Sequence, residues 1–504
     1  MTLEPFDLFE KKEGKKLYDY QIEAIDQIFE RLDKFPERYN LLFQLPTGGG
    51  KTVIFSEISR RYIQETGKKV LILTHRIELL GQTSRMLDDI GVNNKIINSK
   101  IKELEDQSDF QCFVAMVETL NNRLNDDKFE VADVGLVIVD EAHYNSFRKI
   151  FKFFESVVIL GVTATPLSSN IKLPLRDNYN ELIVGESISS LVDKRFLARA
   201  HTYSYDVSLH SLKVGINGDY TVSSSEKLYG NFFMQEKLLY AYEEKAKGTK
   251  TLIFNNGIHT SKQVYELFRE AKYEIMHLDN THNEKERRDI LQWFKEKPDA
   301  ILTSVSILTT GFDEPTVETV ILNRATKSLT LYHQMIGRGS RFLPQKPNFN
   351  VIDLGNNARR FGLWDYYVNW QDIFRAPHAY LEGLYTDEAI EREFIYNMPD
   401  EVRRYFKNSE LGFDIKTEYV KVTRAGLKSK AALDNCLDYH QKIIIANSEE
   451  FSDAELRIKL LDKEIEFQVR QYSYCISKST ENYQKWLKEE YMRKLLVKVR
   501  QFYF

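Results

Sequence analysis

The chain has 504 residues, with 70 Lys and Arg against 74 Asp and Glu and a net charge of -4. At roughly 150 residues per domain this length suggests about three domains, and the balanced charge excludes an overall basic nucleic-acid binder, so any polyanion contact must be local. Abundant aromatics (28 Tyr, 31 Phe, 4 Trp) with only 23 Gly and 11 Pro exclude collagen-like and long disordered stretches.

In residues 1–196 the apolar runs LLFQL (41–45), VLILT (70–74), CFVAM (112–116), VGLVIVD (134–140) and SVVILGVTAT (156–165) alternate with helical patterns. Strands apolar on both faces and separated by amphipathic segments predict a parallel sheet covered by helices. Residues 197–248 are expected to be a connector and the start of a second domain, with HTYSYDVSL and INGDYTVSSS extended or hairpin-like around Gly218. Over 249–360 the α/β pattern returns in TLIFNN, YEIMHLD, AILTSV, TVILNRA and NVIDLG, which suggests a duplicated nucleotide-binding architecture.

Residues 361–504 lose the strand signature and are expected to be a mostly helical accessory domain. Two basic stretches stand out there, KTEYVKVTRAGLKSK (416–430) and QKWLKEEYMRKLLVKVR (484–500). In the second, Leu487, Tyr491, Met492, Leu495, Leu496 and Val499 recur at helical spacing and predict an amphipathic helix. Its Lys494, Lys498 and Arg500 either guide a nucleic acid or simply face solvent. Pro399-Asp400 with Asp414-Ile415-Lys416 loosely matches a nuclease metal site, but Pro399-Asp400-Glu401 reads better as a helix start.

Cys112, Cys436 and Cys475 are odd in number and far apart, which disfavours a disulfide framework or zinc ribbon and points to a reducing compartment. With no apolar core of signal-peptide length in MTLEPFDLFEKKEGKK and no membrane-spanning run, the expectation is a cytoplasmic protein with no membrane partner.

The most informative segment is LLFQLPTGGGKTVIF, a buried strand, then Thr47, Gly48, Gly49 and Gly50, then a helix beginning at Lys51-Thr52. Glycines let backbone N–H groups approach a phosphate, and the helix N-terminus adds favourable partial charge. Lys51 is placed to reach the β- and γ-phosphates of ATP and Thr52 to ligate Mg²⁺. The strict pattern has Gly where this chain has Leu45. Downstream, VIVDEAHYN sets Asp140 and Glu141 at a strand end, where the first can hold Mg²⁺ and the second can orient or deprotonate water.

These motifs are joined by others in a fixed order, and together the chain resembles superfamily 2 DEAH-box helicases and translocases over about residues 16–345. LYDYQIEAI (17–25) resembles the adenine motif, LPTGGGKT motif I, LTHRIELLGQT (73–83) motif Ia and VETL (117–120) motif Ib. DEAH (140–143), TATP (163–166), TLIFNNGIHTS (251–261), TSVSILTTGFDEP (303–315) and QMIGRGSR (334–341) resemble motifs II to VI. The wording of the last two is most similar to the RadD- and XPB-like branch, which neighbours the motors of restriction enzymes. The resemblance implies two tandem RecA-like parallel-sheet domains followed by the helical region.

The same resemblance assigns roles. Arg338 and Arg341, one turn apart if helical, become fingers from the second domain on ATP held by the first, with Gln334 sensing the γ-phosphate. Gly311 and Asp313 contact nucleotide, Asp313 at the ribose. Gln21 reads adenine, while Tyr18 either stacks on the base or packs in the core. His143, Thr163 and Thr165 couple phosphate state to grip. Thr74, Arg76, Thr119, Asn255, Thr303 and Thr310 are expected along a nucleic-acid strand, through phosphates rather than bases. The expectation is thus an ATP- and Mg²⁺-dependent motor on nucleic acid, DNA before RNA, with a protein partner possible at the C-terminal domain. A nucleic-acid-stimulated ATPase switch, or the motor subunit of a restriction or defence complex, is the alternative.

Overall fold

Runs of Val, Ile and Leu that are apolar on both faces are stable only inside a sheet covered on both sides. In the computed structural model they form two such sheets; the structure describes residues 17–99, 107–125, 131–309, 312–394, 396, 398–407, 412–476 and 480–504. The first sheet takes β1 (Leu41–Gln44), β2 (Lys69–Thr74), β3 (Asn94–Ile97), β4 (Cys112–Met116), β5 (Val134–Asp140), β6 (Val158–Thr163) and β7 (Glu181–Val184). Its order is β3-β4-β2-β5-β6-β1-β7, all parallel. The second takes β8 (Arg199–Ser204), β9 (Thr251–Asn255), β10 (Ile275–Leu278), β11 (Ile301–Ser304), β12 (Thr319–Asn323) and β13 (Asn348–Asp353). Its order is β10-β11-β9-β12-β13-β8, again all parallel.

The register of the first sheet positions the site. Gln44 on β1 lies opposite Thr163 on β6, and Val162 lies opposite Asp140 on β5. Three neighbouring strands therefore deliver the glycine-rich loop, the Asp-Glu pair and the Thr-Ala-Thr segment to one edge, the carboxyl ends where open α/β sheets hold ligands.

The segment 197–248 is more than a connector. β8 pairs with β13 and completes the second sheet, and the helices Val222–Tyr229 and Phe232–Lys245 follow it. The hairpin expected around Gly218 is a single antiparallel bridge between Val214 and Tyr220. Residues 361–385, grouped by sequence with the C-terminal region, pack with the sheets instead. Gln371 Nε2 donates to Leu182 O at 2.8 Å, and the Trp370 ring stands 5.7 Å from His333. The chain divides at Tyr385/Thr386.

The unit Thr386–Phe504 is helical, with no strand among its described residues; its longest helices are Ala431–Ala446, Asp462–Cys475 and Glu481–Tyr503. Leu487, Tyr491, Leu495 and Val499 of the last are buried four residues apart, whereas Leu496 is exposed, so the apolar stripe is narrower than expected. The basic face is largely answered within the unit. Lys498 pairs with Asp438, Lys494 lies 3.7 Å from Glu490, and Arg500 sits over the Phe504 ring at 5.9 Å. Nor do Asp400 and Asp414 come together as a nuclease-like site among the described residues. Asp400 opens a helix, and Asp414 caps another, accepting from the Lys416 and Thr417 N–H groups at 3.0 and 3.3 Å. Among the described residues no helix is long and apolar enough to cross a membrane.

Candidate active site

After β1 the chain turns through Leu45, Pro46 and Thr47 into three glycines and the helix Lys51–Thr66. Leu45, the departure from the strict pattern, is fully buried beneath the loop. Gly50 caps the helix in the left-handed region at φ 88°, and a Cβ there would lie 2.5 Å from Gln21 Nε2. A side chain would meet both strain and overlap. Gly50→Ala is therefore expected to destabilise this unit by about 1–3 kcal/mol and to weaken nucleotide binding, read by denaturant unfolding and nucleotide titration.

Gln21 is itself buried. Its Oε1 accepts from Tyr18 N–H at 3.0 Å in a capping box, and the Tyr20 hydroxyl donates to Gly49 O at 2.9 Å. The first turn of the helix Asp19–Lys34 thus braces the loop. Tyr18 is 51% exposed, its ring 4.3 Å from Phe196, so it is not a core residue.

Asp140 and Glu141 are buried side by side, and Asp140 accepts from the Glu141 N–H at 2.9 Å. Burial raises Asp140 to about 7, with Glu141 adding to the rise and Lys51 opposing it. Burial also pushes Glu141 up, but Lys51, His143, His75 and Arg338 more than offset it and hold Glu141 below the usual range. Glu141 stands at φ 53°, a strained conformation for a non-glycine residue, and its Oε2 has no hydrogen-bond partner.

His143 Nδ1 lies 3.4 Å from that Oε2 and 3.0 Å from Thr163 Oγ1. The Thr163 hydroxyl donates to Thr165 O at 3.1 Å, so Nδ1–H is the donor to Thr163. Thr165 Oγ1 meets Thr330 Oγ1 at 2.9 Å, and Thr330 belongs to the helix Leu329–Ile336 of the second sheet domain. A continuous line of polar contacts thus runs from Glu141 through His143, Thr163 and Thr165 to the element that carries Gln334.

Burial pushes His143 and His333 down from 6.5 to about 4. The unfolded chain takes up these protons near pH 6.5 and the folded chain only near 4. Their contribution is whole above pH 6.5 and is lost as pH falls towards 4. The thermal midpoint should fall between pH 7 and pH 5, less steeply in His333→Gln; identical slopes for both proteins would contradict the assignment.

Arg338 and Arg341 are not on a helix as their spacing suggested. The helix stops at Ile336, where Gly337 leaves room for close approach; a Cβ there would lie 2.7 Å from Thr47 Cβ. Arg341 nevertheless faces the loop, and Arg338 lies within electrostatic reach of Glu141. Arg341 Nη1 donates to Gly48 O at 2.9 Å, while its Nε and Nη2 hold Asp313 at 2.7 and 3.0 Å. Arg338 is half-buried, donates to Phe312 O and, at 3.3 Å, to Gln334 O. Burial lowers it to about 10, so it stays charged at neutral pH. Asp313 is thus engaged by an arginine, and Gln334 is buried with Nε2 unpartnered. Gly311 and Thr310 lie outside the described residues.

The expected strand contacts need correcting. Asn255 and Thr303 are fully buried and bonded to each other at 2.9 Å, and Thr303 is also 3.0 Å from Ser261, which reaches His277 at 2.9 Å. Their side chains brace the ends of β9 and β11 and present no exposed surface to a phosphate in this structure. Thr74 is likewise buried. Arg76 and Thr119 are half-buried, and Arg76 Nη1 crosses to Ile307 O at 3.3 Å. Sequence reasoning passed over Tyr144, immediately after the Asp-Glu-Ala-His run. Its ring lies tilted against His75 at 3.9 Å and against His143 at 4.3 Å, and its hydroxyl lies beside Arg76 and Gln334.

A phosphate-binding loop and an acidic pair on one parallel sheet, faced by two arginines from a second, have counterparts in known proteins. Residues 14–168 match the family described as "Type III restriction enzyme, res subunit", and residues 233–343 match "Helicase conserved C-terminal domain". The chain belongs to the superfamily 2 helicases, among those related to restriction-enzyme motor domains. It is 30% identical over 67% of its length to a putative ATP-dependent helicase, IRC3, of Saccharomyces cerevisiae, covering 51% of that protein. It is 29% identical over 66% of its length to a 51.5 kDa protein of a Lactococcus phage, covering 69% of it. A DNA-bound Type ISP restriction-modification enzyme, LlaBIII, shares the helicase fold at a TM-score of 0.52 and 15% identity, over 98% of this chain and 43% of that one. The two sheets are accordingly the tandem RecA-like domains of a superfamily 2 helicase.

Proposed function

We propose that this chain is a nucleic-acid-stimulated ATPase that moves along DNA. The observation that carries the reading is the approach of Arg341 and Arg338 from the second RecA-like domain to the phosphate loop and acidic pair of the first. Such a cleft hydrolyses ATP only when closed, so each turnover opens and closes two domains. Lys51 binds the β- and γ-phosphates, Glu141 takes the proton of the attacking water, and Arg338 and Arg341 stabilise the charge that develops. Tyr18 offers an exposed ring to the adenine.

Thr52 and Asp140 are suited to Mg²⁺. Burial and the neighbouring Glu141 raise the Asp140 carboxyl, so a divalent cation beside it would favour its charged form, and Mg²⁺ at such sites needs few protein ligands besides phosphate oxygens. When bound, the ion neutralises charge on the transferred phosphoryl group.

DNA is favoured over RNA because a restriction-enzyme family matches the first domain. That match, and the greater length of the relatives, also favours a second reading, a motor subunit within a larger complex. The test measures ATPase with single-stranded DNA, duplex, forks and RNA, alongside fork unwinding and triplex displacement. Stimulation by DNA with displacement is expected. Stimulation by RNA alone would overturn the DNA assignment, and stimulation without displacement would replace the motor by a switch.

A further inference from the structure

On the helices Asp462–Cys475 and Glu481–Tyr503 of the C-terminal unit the cations are largely answered. Lys498 pairs with Asp438, Lys488 with Asp462 and Glu466 at 2.9 Å, and Arg470 with Glu466 at 2.8 Å. The turn between the helices Ile415–Arg424 and Ala431–Ala446 departs from this. Arg424, Lys428 and Lys430 are exposed there, and none of the three forms an ion pair among the described residues. The turn is fixed by its own bonds. Gly426 closes the first helix in the left-handed region at φ 72°, Leu427 N–H donates to Val422 O at 3.1 Å, and Ala431 N–H donates to Lys428 O at 2.9 Å. The Tyr472 hydroxyl donates to Ser429 Oγ at 3.4 Å and ties the turn to the helix Asp462–Cys475. Leu427 stands exposed among the three cations.

An aromatic surface lies beside this turn. Tyr483, Trp486 and Glu490 fall three and four residues apart on the helix Glu481–Tyr503 and so share one face. Tyr483 is within electrostatic reach of Tyr472, and Glu490 within that of Lys430, which sets this face alongside the turn. Glu490 is already held by Arg493 at 2.9 Å and lies 3.7 Å from Lys494, so two other cations share it before Lys430. The rings of Tyr483 and Trp486 are 5.7 Å apart and tilted by 32°, and Trp486 is 55% exposed. The other tryptophans, Trp293, Trp364 and Trp370, are buried or half-buried.

Exposed flat rings beside unanswered cations suit a chain of bases and phosphates, since every base has a face to stack and the cations take the backbone. A duplex hides the faces of its bases, and an acidic protein segment would use the cations but leave the rings bare. We infer that this turn and helix face form a surface for single-stranded nucleic acid, with a base against Trp486 and phosphates at Arg424, Lys428 and Lys430. The surface lies in a different unit from the motor motifs and gives the chain a second hold on a strand. Its use as a second hold, though not the binding itself, rests on the motor reading.

Fluorescence titration of the full-length chain with a long oligothymidylate tests it. Binding should quench the tryptophan emission. Trp486→Phe should abolish the quench and keep most of the affinity, whereas Trp486→Ala should cost about tenfold. Replacing Arg424, Lys428 and Lys430 together by Ala, all exposed changes, should weaken binding and lower the slope of log affinity against log salt by about 2. Duplex DNA should not quench. The inference falls if oligothymidylate leaves the Trp486 emission unchanged, if affinity and salt slope are both indifferent to the substitutions, or if poly-glutamate quenches and competes equally, which would make the face a protein-docking site. ATPase is followed in parallel. Stimulation by DNA without the Trp486 quench overturns this inference alone, and the quench without stimulation overturns the motor reading alone.

Discussion

Glu141→Gln is expected to lower ATP turnover by about three orders of magnitude while ATP still binds. The substitution keeps the shape of the side chain and removes only its capacity to take a proton. Everything around Glu141 serves the charged form: Lys51, His143, His75 and Arg338 together hold it ionised despite burial, and Oε2 is left without a protein donor. The strained backbone at φ 53° follows directly on the strand that Asp140 ends. Because glutamine retains that backbone, folding should be unchanged. Single-turnover hydrolysis, with binding of a fluorescent ATP analogue as control, makes the measurement. Activity within tenfold of the parent would remove Glu141 as the base.

Arg338→Ala is expected to cost about 10³-fold in kcat with little change in KM. Arg338 is half-buried within the electrostatic reach of Glu141, and its donor contacts to Phe312 O and Gln334 O fix the guanidinium before nucleotide arrives. Arg338→Lys should rescue almost nothing, since one ammonium cannot reproduce the planar fork. Arg341 differs. Its bond to Gly48 O joins the domains even without nucleotide, while Asp313 of its own domain holds the guanidinium, so Arg341→Ala should raise KM as well as lower kcat. Equal, modest effects of both alanine variants would argue against fingers at this cleft.

The sequence carried the interior of the fold better than its margins. Ten apolar runs became strands, but β3, β7 and β8 were missed or left as vaguely extended, and all three lie at sheet edges. An edge strand is covered less completely, so β8 has only exposed and half-buried residues and never forms an apolar run. The same division holds at the site. The phosphate loop and the Asp-Glu pair are short contiguous segments with chemistry legible in order. Contacts such as Thr165 to Thr330 join residues 165 apart and leave no local trace. The buried Asn255 and Thr303 show the converse: a motif can mark a position whose side chain serves the scaffold. For Arg338 and Arg341, the helical spacing was misleading and the two flanking glycines were the better signal.

The crossing between the RecA-like domains has a mechanical meaning. The chain leaves the first domain at residues 197–198, where Leu197 bridges to Arg341 and Ala198 N–H donates to Ser340 O at 2.8 Å, directly beside the phosphate loop. It then enters the second sheet at β8, the edge farthest from β10. The crossing therefore sits beside the phosphates, and β10 lies at the far edge. With strands spaced about 4.8 Å apart, the two edges are about 24 Å apart, so a turn of about ten degrees about the crossing would sweep β10 through about 4 Å. The spacing between successive nucleotides is about 3.4 Å, so on the proposed motor reading a turn of that size would match roughly one step along a strand.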